Sequence, residues 1–255
     1  MSVFSSVDSS GDPVQAKRYL DQTAVAALRM KHYAMTAHAQ ERPEGFILDV
    51  GCGAGHDLDL LESAGMRAVG VDPSAVLLRA AGERTERSVP LVRAHGEALP
   101  FADASVAGCR VERVLIHVLD PVPVVTEVVR CLRAGALLTV FEPDWDSFTV
   151  RGSAGDEPCG WICSVRHPGV GAELWSLIED AGCEVLDRVE ELSIWRRLDR
   201  LDRVVGLASS IEKAVLARRI SQEQADGWVA EQRERDARGI FRAAMPKILI
   251  VARKL

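Results

Sequence analysis

Ile47-Leu48-Asp49-Val50-Gly51-Cys52-Gly53-Ala54-Gly55-His56-Asp57 decides the fold. The apolar run from Phe46 to Val50 reads as a buried strand, and Asp57 to Ala64 reads as a helix stopped by Gly65 at its C′ position. Between them the chain has to turn sharply. Gly51, Gly53 and Gly55 permit positive φ there and let a ligand approach bare main chain. Exposed N–H groups at the start of the helix favour an anionic or carboxylate group. Seventeen residues beyond Gly55, Asp72 ends a second strand, Ala68-Val69-Gly70-Val71, where a carboxylate can accept both hydroxyls of a ribose. The spacing is G-x-G-x-G. His56 stands where the dinucleotide fingerprint has its third glycine, the one that lets a helix pack under a pyrophosphate. Asp49, two residues before Gly51, can orient the loop and receive an ammonium group. This polarity matches a ligand with an adenosine at one end and an amino-acid zwitterion at the other.

Outward from the turn, strand and helix signals alternate. Ser74 is a plausible N-cap for a helix through Ala81. Leu91-Val92 and Val106 to Val111 read as strands, Val122 to Leu132 as a helix, and Ala136 to Phe141 as a fifth strand. Short connections between such elements predict a doubly wound, mostly parallel sheet covered on both faces. Pro168 to Ala181 carries Leu174, Leu177 and Ile178 at helical spacing, and Val185 to Trp195 reads as a long strand. Residues 196–239 read as a helical insertion in which Ser221-Gln222-Glu223-Gln224 fits a capping box, and Ile248 to Val251 forms the last strand. Before the sheet, 13–42 predicts a helical cap, with Tyr19, Thr23, Ala26, Met30, Tyr33 and Ala37 at helical spacing. Residues 1–12, rich in Ser, Asp and Gly, are expected to be disordered, leaving 13–255 as one domain.

Composition narrows the function classes. The 255 residues suit a single α/β domain with an insertion. Lys and Arg number 31 against 37 Asp and Glu, a net charge of −6 with no basic block, which argues against a nucleic-acid partner. No apolar run reaches the ~20 residues of a membrane helix, and Met1 to Gly11 has neither the basic nor the apolar part of a leader. A cytoplasmic protein, monomer or homodimer, without a membrane partner is the expectation. The six cysteines form no C-x-x-C and no zinc spacing, so buried reduced thiols and no metal are expected.

Four segments carry a family resemblance. Leu48 to Gly55 resembles motif I of the class I S-adenosylmethionine-dependent methyltransferases, and Val69-Gly70-Val71-Asp72-Pro73-Ser74 resembles their second motif. Gly96-Glu97-Ala98-Leu99-Pro100-Phe101 with Asp103 and Ser105 is similar to a segment of the branch that includes quinone-biosynthesis methyltransferases. Val114-Leu115-Ile116-His117-Val118 with Asp120-Pro121, then Glu127 to Arg133 and Gly135, resembles the same branch. The resemblance is close over about 46–145, and the four motifs stand in the family's order. It implies a Rossmann-like methyltransferase fold with N-terminal helices and a helical lid.

The resemblance also implies residue roles. Asp49, Gly51, Cys52, Gly53 and Gly55 surround the methionine part of S-adenosylmethionine, Asp72 and Pro73 take the ribose, and His95, Gly96 and Glu97 lie beside the adenine. His95 departs from the family's usual Asp, which shifts the adenine onto the backbone of Gly96 and Glu97. Glu112 and Arg113 pass under the methionine group. The expected reaction is transfer of the methyl group to a small organic acceptor, such as a quinone-like ring or a specialised metabolite of secondary metabolism, releasing S-adenosylhomocysteine. His117 is the candidate base, with orientation of its loop as the competing role. Met30, Tyr33, His117, Asp144 and Trp145 are the candidate acceptor pocket. Two other functions stay open: structural use of the cofactor for a cyclisation, elimination or binding role, and a nicotinamide-dependent oxidoreductase, which would need glycine at the position of His56.

Overall fold

The computed structural model describes residues 8, 17, 20, 21 and 28–255 apart from 42, 87, 154, 159 and 164. The stretch expected to be disordered (1–12, Asp8 excepted), most of 13–27, and Cys159 lie outside the described residues. The first complete helix is α1 (Leu28–Gln40), which buries Met30, Lys31, Ala34, Met35 and His38 against the sheet.

The strands β1 (Ile47–Val50), β2 (Ala68–Asp72), β3 (Leu91–Arg93), β4 (Val106–Glu112) and β5 (Leu132–Pro143) follow, in the spatial order β3-β2-β1-β4-β5. All pairings among these five are parallel. β1 lies central and every one of its residues is buried, so its apolar run is covered on both faces, as a parallel strand requires. Crossovers are supplied by α2 (His56–Ser63), α3 (Ala75–Arg84) and α4 (Pro121–Cys131). Ser74 caps α3 by accepting the N–H of Leu77 at 3.1 Å. Asp120 caps α4 by accepting the N–H of Val122, and Pro121 starts that helix where a missing N–H costs nothing.

The second half turns the sheet antiparallel. A hairpin of β6 (Thr149–Gly152) and β7 (Gly155–Pro158) and the helix α5 (Val170–Asp180) precede β8 (Cys183–Trp195) and β9 (Ala243–Lys254). β9 runs antiparallel to β5, β6 and β8. The helices α6 (Leu198–Val205), α7 (Leu207–Leu216) and α8 (Gln222–Ala237) occupy the expected insertion. The capping box of α8 is formed in both directions, Ser221 to Gln224. Trp228 on α8 meets Trp161 edge to face, with ring centroids 5.3 Å apart.

Several boundaries differ from the sequence reading. β5 begins at Leu132, because that wholly buried residue already pairs with Val106 across an irregularity in the ladder. β9 starts at Ala243, since its first residues pair with β8 and β6 beyond the apolar run that marked it. The β6–β7 hairpin had no signal, its strands being four residues each. No helix among the described residues is long and apolar enough to cross a membrane. Among them also, no group of three His, Cys, Asp or Glu is placed to hold a metal.

Two contacts shape the edge of the sheet where β1 and β4 end. Gly55 has φ +77°, and a Cβ there would lie 2.9 Å from Ala81 Cβ, so α2 starts in direct contact with α3. Glu142, next to last in β5 and fully buried, holds the exit of β4: its Oε1 accepts the N–H of Val114 at 2.8 Å and of Leu115 at 2.6 Å. Burial pushes the Glu142 carboxyl up to about 8, against the pull of those two N–H groups.

Gly55→Ala is expected to lower stability by about 2–4 kcal/mol, from left-handed strain plus overlap with Ala81. A urea unfolding midpoint equal to that of the wild type would show that α2 and α3 are not in this contact. For Glu142 the native chain keeps a proton that the unfolded chain releases near 4.5. The native state therefore loses stability as pH rises from about 4.5 through about 8, on the order of 2 kcal/mol between pH 6 and 9. Glu142→Gln, whose amide oxygen can still accept both N–H groups, should flatten that limb in pH-dependent urea titrations.

Candidate functional site

The carboxyl ends of β1, β2 and β4 open onto a cavity of about 350 Å³. At β1 the chain turns through Gly51, whose φ is +74° and whose missing Cβ would fall 2.3 Å from Val114 Cγ2. Gly51, Cys52 and Gly53 line the cavity with main chain, but Gly55 does not. Four of the turn's N–H groups bond within the fold. Gly51 and Cys52 both donate to Val71 O, at 2.7 and 3.0 Å, and Gly55 donates to Cys52 O. Gly53 donates to Asp72 Oδ2 at 3.0 Å. These four donors hold the turn against β2 and leave the N–H groups at the start of α2, which no side chain caps, as the ones an anion could meet.

Asp72 ends β2 at the rim of the cavity, buried. Its Oδ2 is held by Gly53 and its Oδ1 by the N–H of Ser74 at 2.8 Å. Both oxygens keep a second lone pair, the capacity needed to accept two hydroxyls. Burial pushes this carboxyl up to about 6 despite those two bonds. Pro73, His95, Gly96 and Glu97 also line the cavity.

Beneath the turn lies a cluster of ion pairs. Arg110 on β4, wholly buried, reaches Asp49 at 3.2 Å, Asp57 at 3.3 Å and Glu112 at 3.0 Å. Lys31 of α1 reaches Asp57 at 2.8 Å and Glu112 at 2.9 Å. Arg113 approaches Glu112 at 3.4 Å from the rim. Burial raises Asp49 to about 7, since its one close cation does not offset the loss of water and the neighbouring carboxylates add to the rise. Asp57 stays well below the ordinary range: burial pushes it up, but Arg110 and Lys31 together outweigh that. Arg113 sits at φ +55°, a conformation uncommon for an arginine, and its N–H bonds Phe141 O at 2.8 Å.

Past β4 the cavity continues along β5 and β9, lined by Phe141, Trp145, Met245 and Lys247, with Val165, Arg166 and Val204 closing over it. His117 lines it too, but burial and the nearby Arg113 cation lower its pKa to about 3. At neutral pH it is a neutral ring and a weak base.

Three expected pocket residues lie elsewhere. Met30 is buried against the sheet, in contact with the Phe141 and Leu249 cluster. Tyr33 is exposed and its hydroxyl donates to Asp187. Asp144 is buried outside the cavity lining and accepts the N–H of Ser147. A helix presents one residue in three or four to a given surface, and α1 offers Lys31 rather than its two neighbours. His38 is packed, with Nε2 3.1 Å from Thr139 Oγ1, while His56 pairs with Asp21 and His167 with Leu119 O. Sequence reasoning missed Lys31, Asp57, Arg110 and Lys247. A charged residue inside an otherwise apolar strand, as Arg110 and Lys247 are, is a usable signal. Lys31 had none.

Comparison with known proteins agrees with this geometry. A family described as a methyltransferase domain matches residues 48–140. An uncharacterized 37.1 kDa protein in transposon TN4556 of Streptomyces fradiae is 34% identical over 251 residues, covering 92% of this chain and 70% of the relative. An uncharacterized methyltransferase of Mycolicibacterium gilvum is 40% identical over 100 residues, so the chain spans about two fifths of that relative, 39% of each. A candidate methyltransferase from Bacillus halodurans shares the fold, with a TM-score of 0.61 at 18% identity, covering 86% of this chain and 97% of that one. The chain carries a methyltransferase domain over residues 48–140.

Proposed function

We propose that this chain binds S-adenosylmethionine across the ends of β2, β1 and β4 and directs its methyl group to a small organic acceptor lodged against β5 and β9. One observation carries the reading: a buried carboxylate, Asp72, oriented by two main-chain N–H groups at the mouth of a cavity whose next wall is side-chain-free turn. That pairing fits a ribose beside a chain that must pass close to backbone. The residues fit the rest of the cofactor as well. Asp49, whose close cation Arg110 is shared with Asp57 and Glu112, favours the ammonium group, and Lys31 and Arg113 at the same end favour the carboxylate.

When bound, S-adenosylmethionine supplies an electrophilic methyl on sulfur. The chain's own residues position the acceptor and exclude water. Phe141, Trp145, Met245 and Val204 offer an apolar wall suited to a ring, the acceptor class that the resemblance to the quinone-biosynthesis branch implies. His117, neutral at working pH, serves as a hydrogen-bond acceptor that orients the acceptor molecule rather than as a strong base.

Titration calorimetry with S-adenosylhomocysteine tests this reading. Binding is expected, and Asp72→Ala should weaken it by about tenfold or more. The binding form of Asp72 is the carboxylate, and its proton is lost near pH 6. Affinity should therefore fall as pH drops below about 6, and Asp72→Asn should lack that step. No heat at ~1 mM ligand, or full affinity in Asp72→Ala, overturns the assignment.

A further inference from the structure

Along the edge of the sheet, the strands that bound the cavity stand in the order β2, β1, β4, β5, β9. Asp72 on β2 and Lys247 on β9 are thus four strand spacings apart, roughly 19 Å at ~4.8 Å each. The carboxylates in the lining, Asp49, Asp57, Asp72, Glu97 and Glu112, belong to the β2–β1–β4 end, where Lys31 and Arg110 pair with three of them. The β5–β9 end is different in charge.

Lys247 is 7% exposed and lines the cavity. It faces Pro143 across β5, and Glu191 stands opposite it on β8. Glu191 and Glu112 attract it from a distance and Arg113 and Lys31 repel it, but no carboxylate among the described residues comes within ion-pair range. Arg166 is anchored through its own N–H to Ile116 O at 2.9 Å, while its side-chain Nε is buried without a partner among the described residues. Trp145, 8% exposed, lines the same space and its indole N–H likewise has no partner. Two cations and a neutral donor thus line this part of the cavity, Lys247 and Trp145 buried and Arg166 with its Nε buried. Buried donors left unmatched are costly and buried cations more so. Burial accordingly pushes the Lys247 ammonium below the ordinary lysine range.

We propose that the methyl acceptor carries an anionic group, a carboxylate, sulfonate or phosphate on an apolar body, and that Lys247, Arg166 and the Trp145 N–H form its seat. The inference rests on the methyltransferase reading and adds the acceptor's charge to it. Such a seat would hold one end of the acceptor against β9 and leave its reacting atom toward β4, where the methionine end of the cofactor site lies. An acceptor held by its charge is oriented by the anchor.

The test uses the whole chain saturated with S-adenosylhomocysteine and two fluorescent probes of one skeleton. 1-Anilinonaphthalene-8-sulfonate carries the anion, and N-phenyl-1-naphthylamine lacks it. The sulfonate probe is expected to bind about tenfold tighter or more. Lys247→Met and Arg166→Gln should each weaken the sulfonate probe by about three- to tenfold while leaving the neutral probe and S-adenosylhomocysteine within about twofold. Equal affinity for the two probes, or a sulfonate affinity that neither substitution changes, overturns the proposal. Failure of the wild-type chain to bind S-adenosylhomocysteine would instead remove the cofactor reading on which it rests. Intact cofactor binding without preference for the sulfonate would remove only the anionic seat.

Discussion

A guanidinium with no access to water sits under the middle of this sheet. Arg110 projects from β4 between Asp49 of β1, Asp57 of α2 and Glu112 of its own strand. Each partner belongs to a piece of the ligand cavity, so the ion cluster is what keeps the glycine turn, the first turn of α2 and the exit of β4 in one register. Lys31 extends the same cluster to α1, which is how a helix outside the sheet comes to line the site. Loss of one partner of such a buried group typically costs about 3–5 kcal/mol, because a charge is left without water or counter-ion. The cluster is therefore a constraint on geometry more than a source of net stability.

The cavity has two ends with different electrostatics, and the topology separates them. The parallel strands end at a common edge, and a crevice outside those ends is where open α/β sheets bind ligands. The reversal of chain direction at β9 carries Lys247 to that same edge from the opposite direction. Acidic residues thus collect at the β2–β1–β4 end and uncompensated donors at the β5–β9 end. Between them stand Arg113 in a left-handed conformation and His117 held neutral by burial. Glu142 fixes that junction by binding two consecutive main-chain N–H groups.

The turn at 51–55 shows how a correct motif can carry an incomplete physical reading. Its glycines are needed for close approach, as Gly51 against Val114 shows. Four of its amides nevertheless bond within the fold, to Val71, Asp72 and Cys52.

What the sequence determined by itself was whatever depends on neighbours along the chain. The strand–turn–helix around 47–57, the caps at Ser74 and Ser221, the helical span between β8 and β9, and the acid at 72 are all local patterns, governed by periodicity, φ preference and side-chain reach. What only the tertiary structure decided was which face each element turns inward and which distant charges meet. Lys31 rather than Met30 or Tyr33 reaches the site because α1 crosses the sheet at one particular rotation. Arg110 finds Asp57 across 53 positions, and Lys247 arrives beside Trp145, only once the strands are ordered. Burial, which sets the charge states of Asp49, His117 and Glu142, exists only after the core has closed over them.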